Sequence, residues 1–273
     1  PIALRVNPDV DARTHPYIAT GLEASKFGIP VNEARALYAS AAEDAALDVR
    51  GIACHIGSQI TSVAPFIDAV KRVRALADEL ERDGIALRYL DIGGGLGIRY
   101  RDEQPPDPDE YARAVSGALR GYLGEVLLEP GRVLVGNAGI LLTRGLYVKK
   151  SGKRTFVVVD AGMNDLIRPA LYDAFHEIEP VEASGRRKRV VDVVGPVCES
   201  SDFFARERAL PEPEAGELLC IRSAGAYGFS MSSTYNSRPR AAEVLVAGKR
   251  AKVIRARESL ADLMRGESLT QPR

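Results

Sequence analysis

The segment Leu87-Arg88-Tyr89-Leu90-Asp91-Ile92-Gly93-Gly94-Gly95-Leu96-Gly97 decides the fold of the first half of the chain. Its apolar run Leu87–Ile92 predicts a buried β-strand, which the successive glycines end. Glycines allow positive φ and bring several backbone N–H groups close to an anion such as a phosphate. A mobile glycine turn is the alternative interpretation, and the spacing matches neither a Walker nor a dinucleotide-binding fingerprint.

Strand and helix patterns alternate on both sides of this segment. Strands are predicted at Ile2–Val6, Val49–His55 and Glu125–Leu128, and helices at Val31–Ala46, Ala64–Arg82 and Asp109–Leu123. Strands that alternate with helices of this length predict βαβ units and a parallel sheet.

The pattern changes after about residue 140. Short apolar runs separated by Gly, Pro and charged residues predict an antiparallel β domain with a short closing helix near Leu260–Arg265. Those runs are Thr155–Asp160, Val190–Val194, Glu217–Ile221 and Ala242–Val246. The expected fold class is therefore α/β plus β, with domains at 1–138 and 139–273.

The composition excludes several classes of protein. Hydrophobic residues make up 45% and charged residues 27% of the chain, as in globular proteins with a sizeable core. The 37 basic and 37 acidic residues cancel, so no nucleic-acid partner is expected. No apolar run approaches the ~20 residues that a membrane span needs. An odd number of cysteines without paired spacing favours a reducing compartment, so we expect a cytoplasmic protein without a membrane partner.

Two further strand ends carry residues with possible chemical roles. His55 follows one strand, with Gly57-Ser58 behind it, and Glu129-Pro130-Gly131-Arg132 follows another. Strand ends carry the chemistry in α/β barrels. A carboxylate at such a position can hold a ring nitrogen protonated and Arg132 can bind an anion, although an ion pair closing a turn is the alternative. Adjacent residues on a strand cannot both face one ion, so Cys54 and His55 predict no metal site.

The segment Gly195-Pro196-Val197-Cys198-Glu199-Ser200-Ser201-Asp202 places a thiol beside a carboxylate immediately after an apolar run. A strand that stops at Gly-Pro and then presents Cys-Glu can place an acid and a charged contact at the mouth of a site. Taken alone, Cys198 would be interpreted as a buried core thiol, and only its setting favours a role in a site. Cys54 and Cys220 are expected to be core thiols.

Together these motifs resemble the C-terminal portion of the diaminopimelate decarboxylases, within the fold type III group of pyridoxal phosphate enzymes. The resemblance covers Ile2 to about Leu263. Its signatures are Thr20–Gly28, His55–Ser58, Gly93–Gly95, Glu129–Arg132, Met163–Tyr172, Cys198–Asp202, Gly225–Gly228 and Met231–Asn236. It implies the second half of a (β/α)8 barrel, the last four β/α units, followed by an antiparallel β-barrel or sandwich domain.

The resemblance implies a set of contacts for pyridoxal 5'-phosphate. Gly93, Gly94, Gly95 and the backbone around Gly131 would hold the phosphate, with Ser58 close enough to help. Glu129 would keep the pyridine nitrogen protonated, and His55 would stack on the ring. Tyr227 would reach both cofactor and substrate.

The resemblance also implies that the substrate is meso-2,6-diaminopimelate, which is decarboxylated to L-lysine and CO2 in the last step of lysine biosynthesis. Arg132 and Arg168 match positions that bind substrate carboxylate, joined by the hydroxyl of Tyr172, and Glu199 would meet the distal ammonium. Ornithine has no distal carboxylate, so a buried Arg168 left unpaired would disfavour it.

Cys198 resembles the proton donor of the family. A thiol with an ordinary pKa near ~8.5 can protonate the α-carbon at neutral pH. In the family this loop reaches into the partner subunit's active site, which implies a homodimer with shared active sites.

The sequence departs from the family in one respect. None of its lysines stands in the Tyr-x-x-Lys-Ala-Asn-like setting of the Schiff-base lysine, and Lys26 matches a different position. We therefore expect an N-terminally truncated form of an intact carboxy-lyase, inactive alone and poorly folded because a half barrel exposes two sheet edges.

Two alternatives remain open. The first is another fold type III decarboxylase, acting on a polyamine precursor. The second is a non-catalytic homologue that binds an enzyme through the dimer surface, for which the missing lysine is the argument. The retention of Cys198, Glu129 and His55 argues against this second alternative, because a non-catalytic protein has no chemical need for all three.

Overall fold

The computed structural model describes residues 1–12 and 26–268, and the chain divides into two compact units, Pro1–Gly136 and Asn137–Arg273. Each unit has its own cluster of buried apolar side chains. The part of the Thr20–Gly28 signature from Thr20 to Ser25 lies outside the described residues. None of the described helices is long and apolar enough to cross a membrane.

The first unit is built on a five-stranded parallel sheet with the order β2-β1-β3-β4-β5. Its strands are β1 (Ile2–Asn7), β2 (Ile29–Pro30), β3 (Val49–Ala53), β4 (Tyr89–Asp91) and β5 (Glu125–Leu127). Its helices are α1 (Val31–Glu43), α2 (Ala64–Arg82), α3 (Pro108–Ala118) and the short α4 (Arg132–Val135). The four predicted strands are confirmed, and the short β2 is an addition that the sequence did not predict.

Helix α2 illustrates why these elements form. Its apolar residues recur at helical spacing, so that Phe66, Val73 and Leu80 all lie buried on one face. The helix ends at Arg82, with Asp83 as its C-cap, and Gly84 follows with a φ of +86°. The predicted limits of this helix match the observed ones.

The strand register brings the functional loops together. Ala53 of β3 lies opposite Asp91 of β4, which in turn lies opposite Leu127 of β5. Because the strands are parallel and end level, the residues that follow them meet at one edge of the sheet.

Strand β5 is the open side of this sheet. It pairs with β4, and no described strand pairs with its other side. Leu127 and Leu128 are 42% and 50% exposed. Apolar exposure of this kind agrees with the expectation for half of a barrel.

The second unit contains a six-stranded sheet with the order β10-β9-β7-β6-β11-β8 and a separate hairpin of β12 and β13. The strands are β6 (Leu141–Ser151), β7 (Arg154–Val159), β8 (Ile178–Pro180), β9 (Lys188–Val194), β10 (Phe203–Pro211), β11 (Leu218–Ile221), β12 (Glu243–Ala247) and β13 (Arg250–Arg255). The helices are α5 (Arg168–Tyr172) and α6 (Leu260–Leu263). The predicted β domain is confirmed.

One strand pair in this sheet differs from the antiparallel prediction. Strands β7 and β9 run parallel, since the chain between them passes through α5 and β8 before it returns in the same direction. The loops after β7 and β9 therefore leave the sheet at the same end.

The buried centre of the parallel sheet should dominate the stability of the first unit. Leu90 of β4 is fully buried, and Leu90→Ala should lower the free energy of unfolding by about 2–5 kcal/mol because it leaves a cavity. Leu123→Ala is the control, since Leu123 is 99% exposed and its truncation should change that energy by about 0.5 kcal/mol or less. Urea unfolding measures both, and equal effects would contradict the assigned core.

Candidate active site

Three strand ends of the first unit contact one another. His55 lies two residues after β3, Gly93 two after β4 and Glu129 two after β5. The amide of Gly94 donates a hydrogen bond to His55 Nδ1 at 3.2 Å, and the amide of Glu129 donates to the carbonyl of Gly93 at 2.8 Å. The structure therefore joins residues that the sequence placed on three separate strands.

Close packing of backbone against backbone requires glycine at positions 93 and 94. A Cβ atom on Gly93 would lie 2.4 Å from the carbonyl oxygen of Cys54, and one on Gly94 would lie 2.1 Å from that of Glu129. Both distances are far inside van der Waals contact. Gly95 has a φ of +111°, a region that side chains disfavour. The loop is thus a packed junction between strands.

The amide groups of this loop divide into two sets. Gly93 donates to Asp91 Oδ1 at 2.8 Å, and Gly94 donates to the imidazole. Among the described residues, no acceptor contacts the amides of Gly95 and Leu96. These two amides can bind an anionic group, whereas the first two serve the protein itself.

The imidazole of His55 is held in one tautomer. Because Nδ1 accepts the amide hydrogen of Gly94, the proton of the neutral ring lies on Nε2. Burial lowers the pKa of His55, and the positive charge of Arg5 lowers it further, against the opposing effect of Asp91. The ring is therefore neutral at pH 7.

Arg132 is fixed beside this junction. It begins α4 and lies buried, and its guanidinium donates to the hydroxyl of Tyr100 and, at 3.1 Å, to Ser58 Oγ. The two hydroxyl groups fix the orientation of the guanidinium. A guanidinium held in one orientation can bind an anion through its planar set of N–H groups.

Glu129 and Gly131 are exposed at the end of β5. Among the described residues, no cation forms an ion pair with the Glu129 carboxylate. A Cβ atom on Gly131 would meet no atom within 4 Å, so packing does not require glycine at that position.

The predicted residues of the second unit lie on loops after its strands. Cys198 and Glu199 are exposed on the loop that follows β9. Arg168, which is buried, begins α5, and Tyr172, which is half-buried, ends it. Tyr227 is 42% exposed and has a φ of +59°, an unusual conformation for a large side chain and one that concentrates at functional sites.

Asp202 fixes the loop that carries Cys198 and Glu199. Its carboxylate is buried and accepts hydrogen bonds from the amide of Val197 and the amide of Met163, both at 2.7 Å. Met163 belongs to the loop after β7, which leads into α5. A single carboxylate therefore ties the loop that leads into α5 to the loop that carries Cys198 and Glu199.

Burial raises the pKa of Asp202, although the two amide donors and the charge of Arg238 lower it in part. Gly195 must be a glycine beside this group, since a Cβ there would lie 2.3 Å from Asp202 Oδ2. The carboxylate thus occupies the space that a side chain at position 195 would need.

Glu199 has a contact within its own unit. The hydroxyl of Tyr235 donates to Glu199 Oε2 at 3.4 Å, a long hydrogen bond between exposed groups. Tyr235 lies in the Met231–Asn236 signature, so this signature meets the Cys198–Asp202 signature.

The cysteines differ in environment as expected. Burial raises the pKa of Cys54 to about 12, assisted by the charge of Asp91, and burial also raises the pKa of Cys220. Cys198 is exposed. The described residues contain no group of three or more His, Cys, Asp or Glu placed to hold a metal ion.

Sequence reasoning missed three residues of these sites: Tyr100, His176 and Asp202. Tyr100 and Asp202 hold Arg132 and the Cys198 loop, as described above. His176 contacts Arg168, with 2.9 Å between Arg168 Nη1 and His176 Nε2. Only their places in the sequence could have indicated two of them, since Asp202 ends the Cys198–Asp202 signature and His176 lies four residues after the Met163–Tyr172 signature.

A family comparison matches residues 1–136, the whole first unit, to the pyridoxal binding domain of the pyridoxal-dependent decarboxylases. The chain belongs to this family. Its first unit, with the parallel sheet and the junction of strand ends, corresponds to the pyridoxal binding domain.

Within the family, the chain is similar to diaminopimelate decarboxylases. It is 55% identical to that of Pseudomonas aeruginosa over 98% of its own length, and 52% identical to that of Aquifex aeolicus over 94%. A crystal structure of diaminopimelate decarboxylase from Helicobacter pylori with L-lysine matches with a TM-score of 0.92 at 45% identity, over 97% of this chain and 66% of that one. The chain spans 65% of the Pseudomonas relative and 62% of the Aquifex relative.

The packed glycine junction predicts that alanine substitutions at two nearby glycines differ in their effect on the free energy of unfolding. Gly94→Ala should lower the free energy of unfolding by about 1–3 kcal/mol or more, because its Cβ overlaps the carbonyl of Glu129. Gly131→Ala is the matched control and should change it by about 0.5 kcal/mol or less. Urea unfolding compares them. A tolerated Gly94→Ala would show that the strand ends do not approach this closely.

The role of Asp202 can be tested by hydrogen exchange. In Asp202→Asn, whichever amide of Val197 and Met163 then faces the side-chain NH2 should exchange about tenfold faster, as for a loss of roughly 1.4 kcal/mol of local stability, because it loses its acceptor. Asp192→Asn is the control, since this buried carboxylate accepts from the amide of Glu207 instead. Unchanged exchange at both Val197 and Met163 would contradict the assignment.

Proposed function

We propose that the gene product carrying this chain is a pyridoxal 5'-phosphate-dependent decarboxylase that converts meso-2,6-diaminopimelate to L-lysine and CO2. The observation that carries the proposal is the junction of His55, Gly93–Gly95 and Glu129 at one edge of a sheet, in a unit that matches a pyridoxal binding domain. High identity to diaminopimelate decarboxylases along nearly the whole chain supports the choice of substrate.

The residues of the first unit fit this cofactor. The amides of Gly95 and Leu96 can donate to its phosphate, with the hydroxyl of Ser58 and the backbone around Gly131 nearby. Glu129, which has no described cationic partner, can accept a hydrogen bond from the protonated pyridine nitrogen. His55 offers the face of a neutral ring for stacking. When bound, the cofactor supplies a sink for the electrons that remain after CO2 leaves.

The second unit supplies the groups that recognise the substrate. Arg168 and Tyr172 would bind the distal carboxylate, and Glu199 would meet the distal ammonium. Arg132, in the first unit, would also bind a substrate carboxylate. Burial of Arg168 matters here, because a buried guanidinium that finds no carboxylate on a substrate such as ornithine disfavours that substrate. Tyr227 would contact cofactor and substrate.

Cys198 would act as the general acid that delivers a proton to the α-carbon of the product. It is the exposed thiol of the chain, whereas burial keeps Cys54 and Cys220 protonated and inaccessible. Its exposed position on the loop after β9 is compatible with a reach into a partner subunit. A cytoplasmic homodimer with shared active sites is therefore part of the proposal.

The test measures lysine formation from meso-diaminopimelate by the gene product that carries this chain, with pyridoxal 5'-phosphate added. Cys198→Ala should lower kcat by about 10²–10⁴, the usual contribution of a general acid. Arg168→Ala should raise KM for diaminopimelate far more than it changes turnover of ornithine.

The control is Cys220→Ala, which removes a buried thiol of the second unit and should leave kcat within about threefold of the parent enzyme. Turnover of ornithine in preference to diaminopimelate would replace the proposal with a polyamine-precursor decarboxylase. Full activity of Cys198→Ala would remove the proton-donor role.

A further inference from the structure

His176 is the fully buried histidine of the second unit, and the proposed reaction gives it no role. We propose that His176 is a positioning residue that holds the guanidinium of Arg168 through its neutral Nδ1–H tautomer and thereby sets recognition of the distal carboxylate. The consequence for substrate recognition rests on the proposed function, whereas the tautomer and the contact do not.

The two ring nitrogens of His176 face different groups. Nδ1 lies 2.8 Å from the backbone carbonyl oxygen of Arg222, and Nε2 lies 2.9 Å from Arg168 Nη1. A carbonyl oxygen can only accept, so Nδ1 must carry the proton. A guanidinium nitrogen can only donate, so Nε2 must present its lone pair. Both contacts are satisfied together by one tautomer of the neutral ring.

The protonated ring does not fit this position. An imidazolium would direct a second N–H group at the Arg168 guanidinium and place two positive charges within 3 Å in a buried setting. The guanidinium of Arg208 is also near, since Arg208 donates to the backbone carbonyl of His176 at 2.8 Å. The Arg222 side chain is directed to Glu179 and pairs with it.

Local geometry explains why a residue so close in sequence can turn back onto Arg168. Helix α5 ends at Tyr172, and its C-cap Asp173 has a φ of +50° in the left-handed region, which reverses the chain. The amide of Ala174 then donates to the carbonyl of Arg168 at 3.4 Å. Arg208 fixes the following segment through its contact with the His176 carbonyl and by lying 3.9 Å from the centre of the Phe175 ring.

The contact also links two predicted binding loops. Arg222 lies immediately after β11, where the chain enters the loop of Gly225–Gly228 with Tyr227. His176 therefore bridges the helix that bears Arg168 and the start of the loop that bears Tyr227. His176 does not itself face the substrate. It nevertheless sets the position of α5 relative to the loop that bears Tyr227.

The direct test is the tautomer. Long-range proton–nitrogen NMR of the gene product that carries this chain should show His176 protonated on Nδ1 and His55 protonated on Nε2. His176→Gln and His55→Gln assign the two signals. A His176 protonated on Nε2, or on both nitrogens at pH 7, would overturn the proposal. This measurement needs neither cofactor nor activity.

The functional consequence is tested by two substitutions in the gene product. His176→Leu removes the acceptor and should raise KM for diaminopimelate about tenfold to hundredfold, the effect of losing one hydrogen bond to a charged group, with a smaller change in kcat. His176→Gln can place an amide oxygen where Nε2 lies and should restore most of the lost affinity.

Residual turnover of ornithine, which lacks the distal carboxylate, should change by less than threefold in both variants. Equal KM increases for His176→Leu and His176→Gln, or equal effects on both substrates, would overturn the positioning role. If the parent enzyme turns over no diaminopimelate, the proposed function fails, and the NMR result still decides whether His176 holds Arg168.

Discussion

Backbone atoms of three strand ends occupy the space that side chains at positions 93 and 94 would fill, and the first unit depends on this constraint. Only because the glycines let the loop after β4 approach the carbonyl oxygens of Cys54 and Glu129 can the amide of Gly94 reach the imidazole of His55. That hydrogen bond selects the tautomer of the ring. Among the described residues, the amides of Gly95 and Leu96 in the same loop donate to no acceptor, so an anion can bind them.

In the second unit, side chains hold the loops that carry the candidate site residues. Its loops follow strands of a mostly antiparallel sheet, and buried polar groups hold them where no glycine junction does. Asp202 joins the loops after β7 and β9, and His176 joins α5 to the end of β11. Each group satisfies two partners at once in a low-dielectric interior, where an unsatisfied partner is costly. These contacts restrict each loop to one arrangement.

Local patterns predicted much of this architecture. Alternating apolar and helical periods gave the four main strands of the first unit and the limits of α2, because burial on one face imposes those periods. Strand β6 was not predicted, since charged residues such as Arg144, Lys149 and Lys150 interrupt its apolar pattern on an exposed strand. The parallel pairing of β7 with β9 depends on the path of the chain between them, which no local pattern records.

The candidate site divides in the same way. Residues such as His55, Glu129 and Cys198 were predictable because each stands in a short motif at a strand end. Tyr100, His176 and Asp202 were not, because their roles depend on partners remote in sequence. Asp202 binds an amide 39 residues away, and His176 a carbonyl 46 residues away. Propensity and spacing describe neighbours along the chain, whereas these contacts are created by the sheet. Asp202 and His176 bear on the evolution of the fold, because the residues that position the loops differ from those proposed to contact the substrate. Under the proposed function, substitutions at positions 168, 172 and 199 would alter which amino acid side chain is accepted while the loops keep their places. A lineage can therefore explore new substrates without first rebuilding its scaffold.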